Sequence, residues 1–387
     1  MPQSQAVPIA LARPVIGEEE IEAAVRVLRS GSVVQGPEVA AFEDEFSRLV
    51  DGRHCVAVNS GTSALQLTLL ALGIGRGDEV VVPSFSFAAT ANAVRLVGAE
   101  PVFADIDPGS YCVDPDAVAA AIGPRTAAIM PVHLYGHPAA MDRLTGLAGA
   151  HGLALVEDAA QAHAATLHGS PVGAFGTAGC FSFYPTKNMH SLEGGLVSTA
   201  DPALARTLRL LRNQGMEQRY ANEIVGANLR MTDVSAAIGR EQLRKLSGWT
   251  RRRRDNAAVL DAGITRLAAP AVAAGAGHVY HQYTVRVPGG AARRDAAQER
   301  LRAAGVGSAV YYPTPIHRLK PFAATGLSAA RGWDLPETER AAAEVLSLPV
   351  HPLLTADELT RICAAVNALD LPGPEAQAGP DSTGGPA

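Results

Sequence analysis

This sequence predicts an α/β fold, with a large unit built on a mostly parallel central sheet and a smaller C-terminal α+β unit. Two observations carry that expectation. Between residues 54 and 157 short apolar runs alternate with helical segments, the pattern of a parallel sheet covered on both faces. After residue 232 the alternation gives way to one long helix and a mixture of strands and helices. The length of 387 residues, 47% hydrophobic and 18% charged, suits a globular chain of two to three domains.

Residues 18–29 (EEEIEAAVRVLR) begin acidic, end basic and are followed by Gly31, so they read as a helix. Residues 37–50 read as a second, with Pro37 in its first turn. Strands are expected at 54–58 (HCVAV), 79–82, 101–105, 127–132 and 153–157 (LALVE), separated by helices at 62–72, 88–97, 114–121 and 139–151. Two more strands are expected at 179–183 and 196–199. Residues 233–262 read as one long helix carrying the run Arg251 to Arg254 on a solvated face. Beyond it come a strand pair within 278–287, a helix at 293–304, a segment at 309–312 and a last helix at 356–368. The expected division is 1–250 for the large unit, N-terminal helices included, and 251–370 for the small one. Residues 371–387, with four Pro and four Gly, are expected to be a disordered tail.

With 33 basic and 38 acidic residues the net charge is −5, which gives no support to nucleic-acid binding. The start of the chain lacks a charged, apolar leader, and no stretch of ~18 apolar residues occurs, so neither a signal peptide nor a membrane span is expected. Four scattered cysteines without a CxxC pair argue against a disulfide scaffold and a zinc site and suit a reducing cytoplasm. Only three of the 33 basic residues are lysine, namely Lys187, Lys245 and Lys320. Where arginine serves, this chain uses arginine, so a surviving lysine marks a place for an amine, the group that forms a Schiff base.

Residues 59–64 (NSGTSA) join a strand to a helix. Gly61 with flanking hydroxyls is either a phosphate cradle at a helix N-terminus or an ordinary N-cap, and the local sequence allows both. Asp158 stands at the carboxyl end of a strand, where open α/β sheets bind ligands, or is itself a cap. His163 is equally readable as a structural histidine. His133 and His137 are separated by a helix-breaking Gly136 and are not a metal pair. The run FSFYPTK (181–187) delivers Ser182 and then Lys187 from an apolar strand, and burial beside aromatics lowers a lysine pKa and frees its amine. Lys245 and Lys320 read as surface residues, and Phe85 as core.

Together these segments resemble the DegT/StrS-type sugar-nucleotide aminotransferases, pyridoxal phosphate enzymes of fold type I. The resemblance runs from about residue 11 to residue 371. It rests on NSGTSAL (59–65), VVVPSFSFAATANAV (80–94), PVFADIDP (101–108), HLYGHPAAMD (133–142), VEDAAQAH (156–163), FSFYPTKN (181–188), LEGGLVST (192–199), RMTDVSAAIGREQL (230–243) and YYPTPIH (311–317), in order and suitably spaced.

The resemblance implies roles. Lys187 matches the lysine that bonds the cofactor, and Asp158 the carboxylate that pairs with its pyridine nitrogen, which makes the ring an electron sink. Gln161 matches the neighbour of the cofactor's 3-oxygen, and Phe87 the aromatic against the ring face. The phosphate is expected at Gly61, on the amides of Thr62 and Ser63, and on the Ser182 hydroxyl. Asn228 matches a residue reaching the phosphate from a neighbouring subunit, which implies a homodimer with a shared site. His163 and His317 match positions near the sugar. The implied reaction moves an amino group from L-glutamate, or L-glutamine, to a nucleotide-linked keto-sugar, with carbon 4 of dTDP-4-keto-6-deoxyglucose as the first expectation. Carbon 3 of a 3-keto isomer, or a keto-cyclitol, is the runner-up. A sugar dehydratase of the same fold carries His where this chain has Lys187, and a non-catalytic regulator would not need Lys187, Asp158, Gln161 and Ser182 together. Two departures, Gly226 to Arg230 (GANLR for an aromatic-rich run) and Ala164 for Gly, fall near the sugar side.

Overall fold

The computed structural model describes residues 7–323 and 332–370. The expected disordered tail lies outside them. The first helices are α1 (Glu18–Ser30) and α2 (Pro37–Ser47). Helix α1 stops where Gly31 takes a left-handed φ of 75°, and α2 tightens into a 3₁₀ turn at Arg48–Val50 instead of running on to residue 50.

The alternating region then follows as β1 (His54–Val58), α3 (Gly61–Ala71), β2 (Glu79–Pro83), α4 (Ala89–Leu96), β3 (Glu100–Ala104), α5 (Pro115–Ala121), β4 (Thr126–Ile129), α6 (Met141–His151) and β5 (Ala154–Asp158). Next come two short strands, β6 (Thr166–Leu167) and β7 (Ser170–Pro171), then β8 (Ala178–Ser182), β9 (Gly195–Thr199) and α7 (Pro202–Arg212). Strand β4 is shorter than expected, because beyond Ile129 only a single bridge, Val132 to Asp158, continues the pairing.

Seven strands form the central sheet in the order β1-β9-β8-β5-β4-β2-β3. All neighbours run parallel except β9, which is antiparallel to both β1 and β8. Alternate side chains enter opposite cores, as a two-fold pleat requires. Val80 and Val82 of β2 pack with Leu65, Leu67 and Leu69 of α3 on one face, while Val81 joins Val118 of α5 and Leu144 of α6 on the other. A third cluster sets Phe42 and Phe46 of α2 against Phe181 of β8 and Leu196 of β9.

Two short strands, β10 (Met216–Gln218) and β11 (Ala221–Asn222), lead toward the long helix α8 (Asp233–Gly263). Asp233 is fully buried, and its carboxylate accepts the amides of Gly36 (2.6 Å) and Val39 (3.2 Å), fastening the N-terminus of α2 to the start of α8. The remaining elements are β12 (Ala276–Gly277), β13 (Tyr283–Arg286), α9 (Ala291–Ala303), α10 (Lys320–Ala323), α11 (Pro336–Glu344), β14 (Val345–Leu348) and α12 (Ala356–Asn367). The strand pair expected within 278–287 does not close on itself: β13 pairs antiparallel with the distant β14.

Packing also crosses the expected boundary at residue 250. Ile9 bridges Val306 and belongs to the C-terminal hydrophobic cluster with Leu260, Tyr283, Leu346 and Ile362. In the other direction Ile316, Phe322, Ala341 and Ala342 pack on the clusters of the large sheet. Among the described residues no helix is long and apolar enough to cross a membrane, and no group of three or more His, Cys, Asp or Glu could hold a metal.

Candidate active site

Strands β1, β2, β5 and β8 run in one direction, so their carboxyl ends share one edge of the sheet. Gly61, Phe87, Asp158 and Ser182 follow or end those strands, and all four line a cavity of about 510 Å³ together with Lys187 and Gln161. The fold thus brings four distant segments of the sequence to one place.

Asp158 ends β5 and is 5% exposed. Thr90 Oγ1 donates to its Oδ2 at 2.8 Å, and the Ala160 amide donates to Oδ1 at 3.2 Å. Burial raises its carboxyl pKa; those two hydrogen bonds and the charge of Lys187 oppose the rise. Behind it Glu157 is fully buried and receives the amides of Gly173, Phe175 and Gly176 and the ring of His133 at 3.1 Å. His133 Nδ1 accepts the Ala139 amide, so its Nε2–H is the donor to Glu157. These bonds hold Glu157 ionised despite burial.

Lys187 reaches the cavity from the turn after β8. It makes no side-chain hydrogen bond or ion pair among the described residues. Burial lowers its pKa to about 8, and the Asp158 carboxylate pulls the other way. An amine so placed is neutral, and so nucleophilic, in a far larger fraction near pH 7 than an ordinary lysine.

At the start of α3 the Ser60 hydroxyl caps the helix by accepting the Ser63 amide at 3.1 Å. That engagement corrects one expectation: the Ser63 amide is occupied and Ser63 does not line the cavity, so the open amides are those of Gly61 and Thr62. Gly61 is required, since a Cβ there would stand 2.7 Å from Ser182 Cβ. Gly195 is just as tight, its Cβ position being 2.2 Å from the Ser60 carbonyl oxygen.

Gln161 is clamped at both ends, its Oε1 accepting the Tyr135 amide at 2.8 Å and its Nε2 donating to the Tyr312 hydroxyl at 3.0 Å. Phe87 is 59% exposed and lines the cavity, its ring 5.9 Å from that of Tyr312, whereas Phe85 is core as expected.

Both sugar-side histidines are placed elsewhere. His163 is fully buried between Phe181 and Phe183, its ring 5.5 Å from each, and burial drives its pKa to about 3. It does not line the cavity. His317 is held by the Ser84 hydroxyl at 2.7 Å and by Glu339 at 2.8 Å, also off the cavity wall. Asn228 is exposed and bridges Asn213, outside this chain's own cavity.

Several residues in or behind the wall escaped the sequence reading. Thr90 pairs with Asp158 across 68 positions, which no local pattern reveals. Tyr311 and Tyr312 stand in the motif YYPTPIH, where their adjacency was the available signal, and His281, Glu193 and Tyr184 also line the cavity.

The residues present fit pyridoxal phosphate. A buried carboxylate answers a ring cation, and an unpaired amine answers an aldehyde. Two open helix-terminal amides beside a serine hydroxyl answer a phosphate. The exposed Phe87 ring answers an aromatic face.

Comparison with known proteins agrees. Residues 14–367 match the model of the DegT/DnrJ/EryC1/StrS aminotransferase family. The chain is 45% identical over 351 residues to the erythromycin biosynthesis sensory transduction protein EryC1 of Saccharopolyspora erythraea, covering 90% of this chain and 94% of that one. It is 45% identical over 352 residues to the dTDP-3-amino-3,4,6-trideoxy-alpha-D-glucose transaminase of Streptomyces venezuelae, covering 90% and 91%. The crystal structure of S. venezuelae DesV matches with a TM-score of 0.86 at 43% identity, over 90% of this chain and 94% of that one.

Proposed function

Because the chain belongs to the DegT/DnrJ/EryC1/StrS aminotransferase family, and so is a pyridoxal-phosphate-dependent sugar aminotransferase of fold type I, we propose that it aminates carbon 3 of a dTDP-linked 3-keto-dideoxy sugar. One observation carries the choice of carbon: the relative at 45% identity is named for a 3-amino product. Carbon 3, the runner-up in the sequence reading, is therefore proposed ahead of carbon 4, the first expectation. L-Glutamate is the proposed donor.

Bound pyridoxal phosphate supplies an electron sink for the carbanion formed at the donor carbon. The chain's own residues do the rest. Gly61 and Thr62 would offer amides, and Ser182 its hydroxyl, to the phosphate. Asp158, fixed by Thr90, would set a negative charge against the ring nitrogen. Phe87 would offer its ring as an aromatic face to the cofactor. The neutral Lys187 amine would take a proton from the donor carbon and, once charged, would deliver it to the carbon that was the cofactor's aldehyde, a role suited to a pKa of about 8. Asn228, exposed here, completes the phosphate site of a second subunit in a homodimer. Four buried, unpaired cysteines fit work in a reducing cytoplasm.

The test is the absorbance of the purified protein with pyridoxal phosphate. The expected visible band bleaches with L-glutamate and returns with dTDP-3-keto-4,6-dideoxyglucose, and Lys187→Ala lacks it. Return with dTDP-4-keto-6-deoxyglucose instead would move the reaction to carbon 4. Absence of any band in the wild type would overturn the assignment.

A further inference from the structure

Tyr135 stands behind the wall of the active-site cavity without lining it. It is buried and holds a left-handed φ of 57°, a conformation that a bulky residue keeps only where its surroundings fix it. Three of its groups are fixed, and each reaches a residue of the wall. Its amide donates to Gln161 Oε1 at 2.8 Å, and its carbonyl accepts the Gln282 amide at 3.2 Å. Its hydroxyl donates to the Tyr311 carbonyl. Gln161, Gln282 and Tyr311 all line the cavity. On the far side the Thr284 hydroxyl of β13 bonds the same phenol oxygen, and it meets Ser347 Oγ of β14 at 2.8 Å. Tyr135 therefore braces the cavity wall against the strand pair of the smaller unit.

The braced wall presents open groups. Gln161 Nε2 donates to the Tyr312 hydroxyl at 3.0 Å, so the hydrogen of that hydroxyl is left for a ligand. The Tyr311 hydroxyl has no partner among the described residues. Both rings line the cavity, their centroids 5.8 Å apart and their planes inclined at 62°. Two aromatic faces that carry free hydroxyls suit the C–H faces and the oxygens of a neutral sugar ring. They offer no cation to an amino donor with two carboxylates.

Resting on the reading of this chain as a sugar aminotransferase, we propose that Tyr135 is a positioning residue for the acceptor: it sets the Tyr311–Tyr312 wall against Gln161, so that both tyrosines meet the keto-sugar. Its hydroxyl is the part that does this. Without it the Tyr311 carbonyl loses this donor, and the wall is free to move off the bond between Gln161 and Tyr312. The amide that fixes Gln161 belongs to the backbone and survives a change of side chain. The ring packs edge-on against Tyr111 at 5.6 Å and Phe85 at 6.5 Å, contacts that a phenylalanine keeps. The brace can thus be cut while Gln161 and the core stay in place.

The test separates the two half-reactions of the holoenzyme by stopped-flow absorbance. In Tyr135→Phe, L-glutamate should bleach the visible band at the wild-type rate. Return of the band, with the keto-sugar that restores it in the wild type, should be about tenfold slower and should need more sugar for half-saturation. Tyr312→Phe should slow the return as well, and the double variant should be no slower than the slower single one, because both act through one wall. Thr284→Val, which keeps Tyr135 and removes a partner of its hydroxyl, should give a smaller loss in the same half-reaction. Return at the wild-type rate in Tyr135→Phe, equal slowing of both half-reactions, or losses that multiply in the double variant would overturn the proposal. A wild-type band that no keto-sugar restores would overturn the functional reading, and this proposal with it.

Discussion

Lys187 and Asp158 set each other's charge. Burial depresses the lysine and raises the aspartate, and each opposes the shift of the other. In the cofactor-free protein the rate of aldehyde capture should therefore rise with pH and reach half its maximum near pH 8, as Lys187 loses its proton. Asp158→Asn removes the charge that holds the proton on, so the midpoint should move down; stopped-flow binding of pyridoxal phosphate over a pH series reads both. Thr90→Val takes away the hydroxyl that fixes Asp158. It should lower turnover by about tenfold with the melting temperature little changed, as steady-state kinetics and calorimetry would show. Lys187 was legible because lysine is scarce here and because an apolar strand delivers it. His163 was misread because its neighbours Asp158 and Gln161 reach the cavity wall, while residue 163 lies buried between Phe181 and Phe183. No local pattern separates those two outcomes.

Strand ends, more than single residues, decide where this chemistry sits. Each βα turn of the parallel sheet places its first residues on one edge, so the site at that edge could be read from the order of elements alone. What stayed hidden was pairing at long range. Strand β9 runs against both neighbours, and β13 finds β14 some sixty residues later, neither of which alternating hydrophobicity encodes. Helix α7 was readable but unread, since Asp201 caps it and Pro202 opens it. The turn between β1 and α3 leaves no room for a side chain at Gly61. Gly61→Ala drives a methyl group against Ser182, so it should weaken cofactor binding at least tenfold and cost about 1–3 kcal/mol of stability. Cofactor titration and denaturant unfolding measure the two effects.

The large unit is held together by clusters on both faces of the sheet, and its aromatic cluster stands directly behind the strand that delivers Ser182. Phe46 meets Phe181 edge-on at 5.0 Å and Phe183 at 5.6 Å. Phe46→Ala should cost about 3–5 kcal/mol in chemical denaturation, with the absorbance of the bound cofactor unchanged under native conditions. Ile9 has a consequence for how the protein is made. Its partner Val306 lies roughly 300 residues later in the chain. At roughly 5–20 residues per second, a ribosome needs on the order of 15–60 s to supply that partner. The segment around Ile9 waits while about 300 further residues are made, and the smaller unit closes only when that segment is laid against Val306.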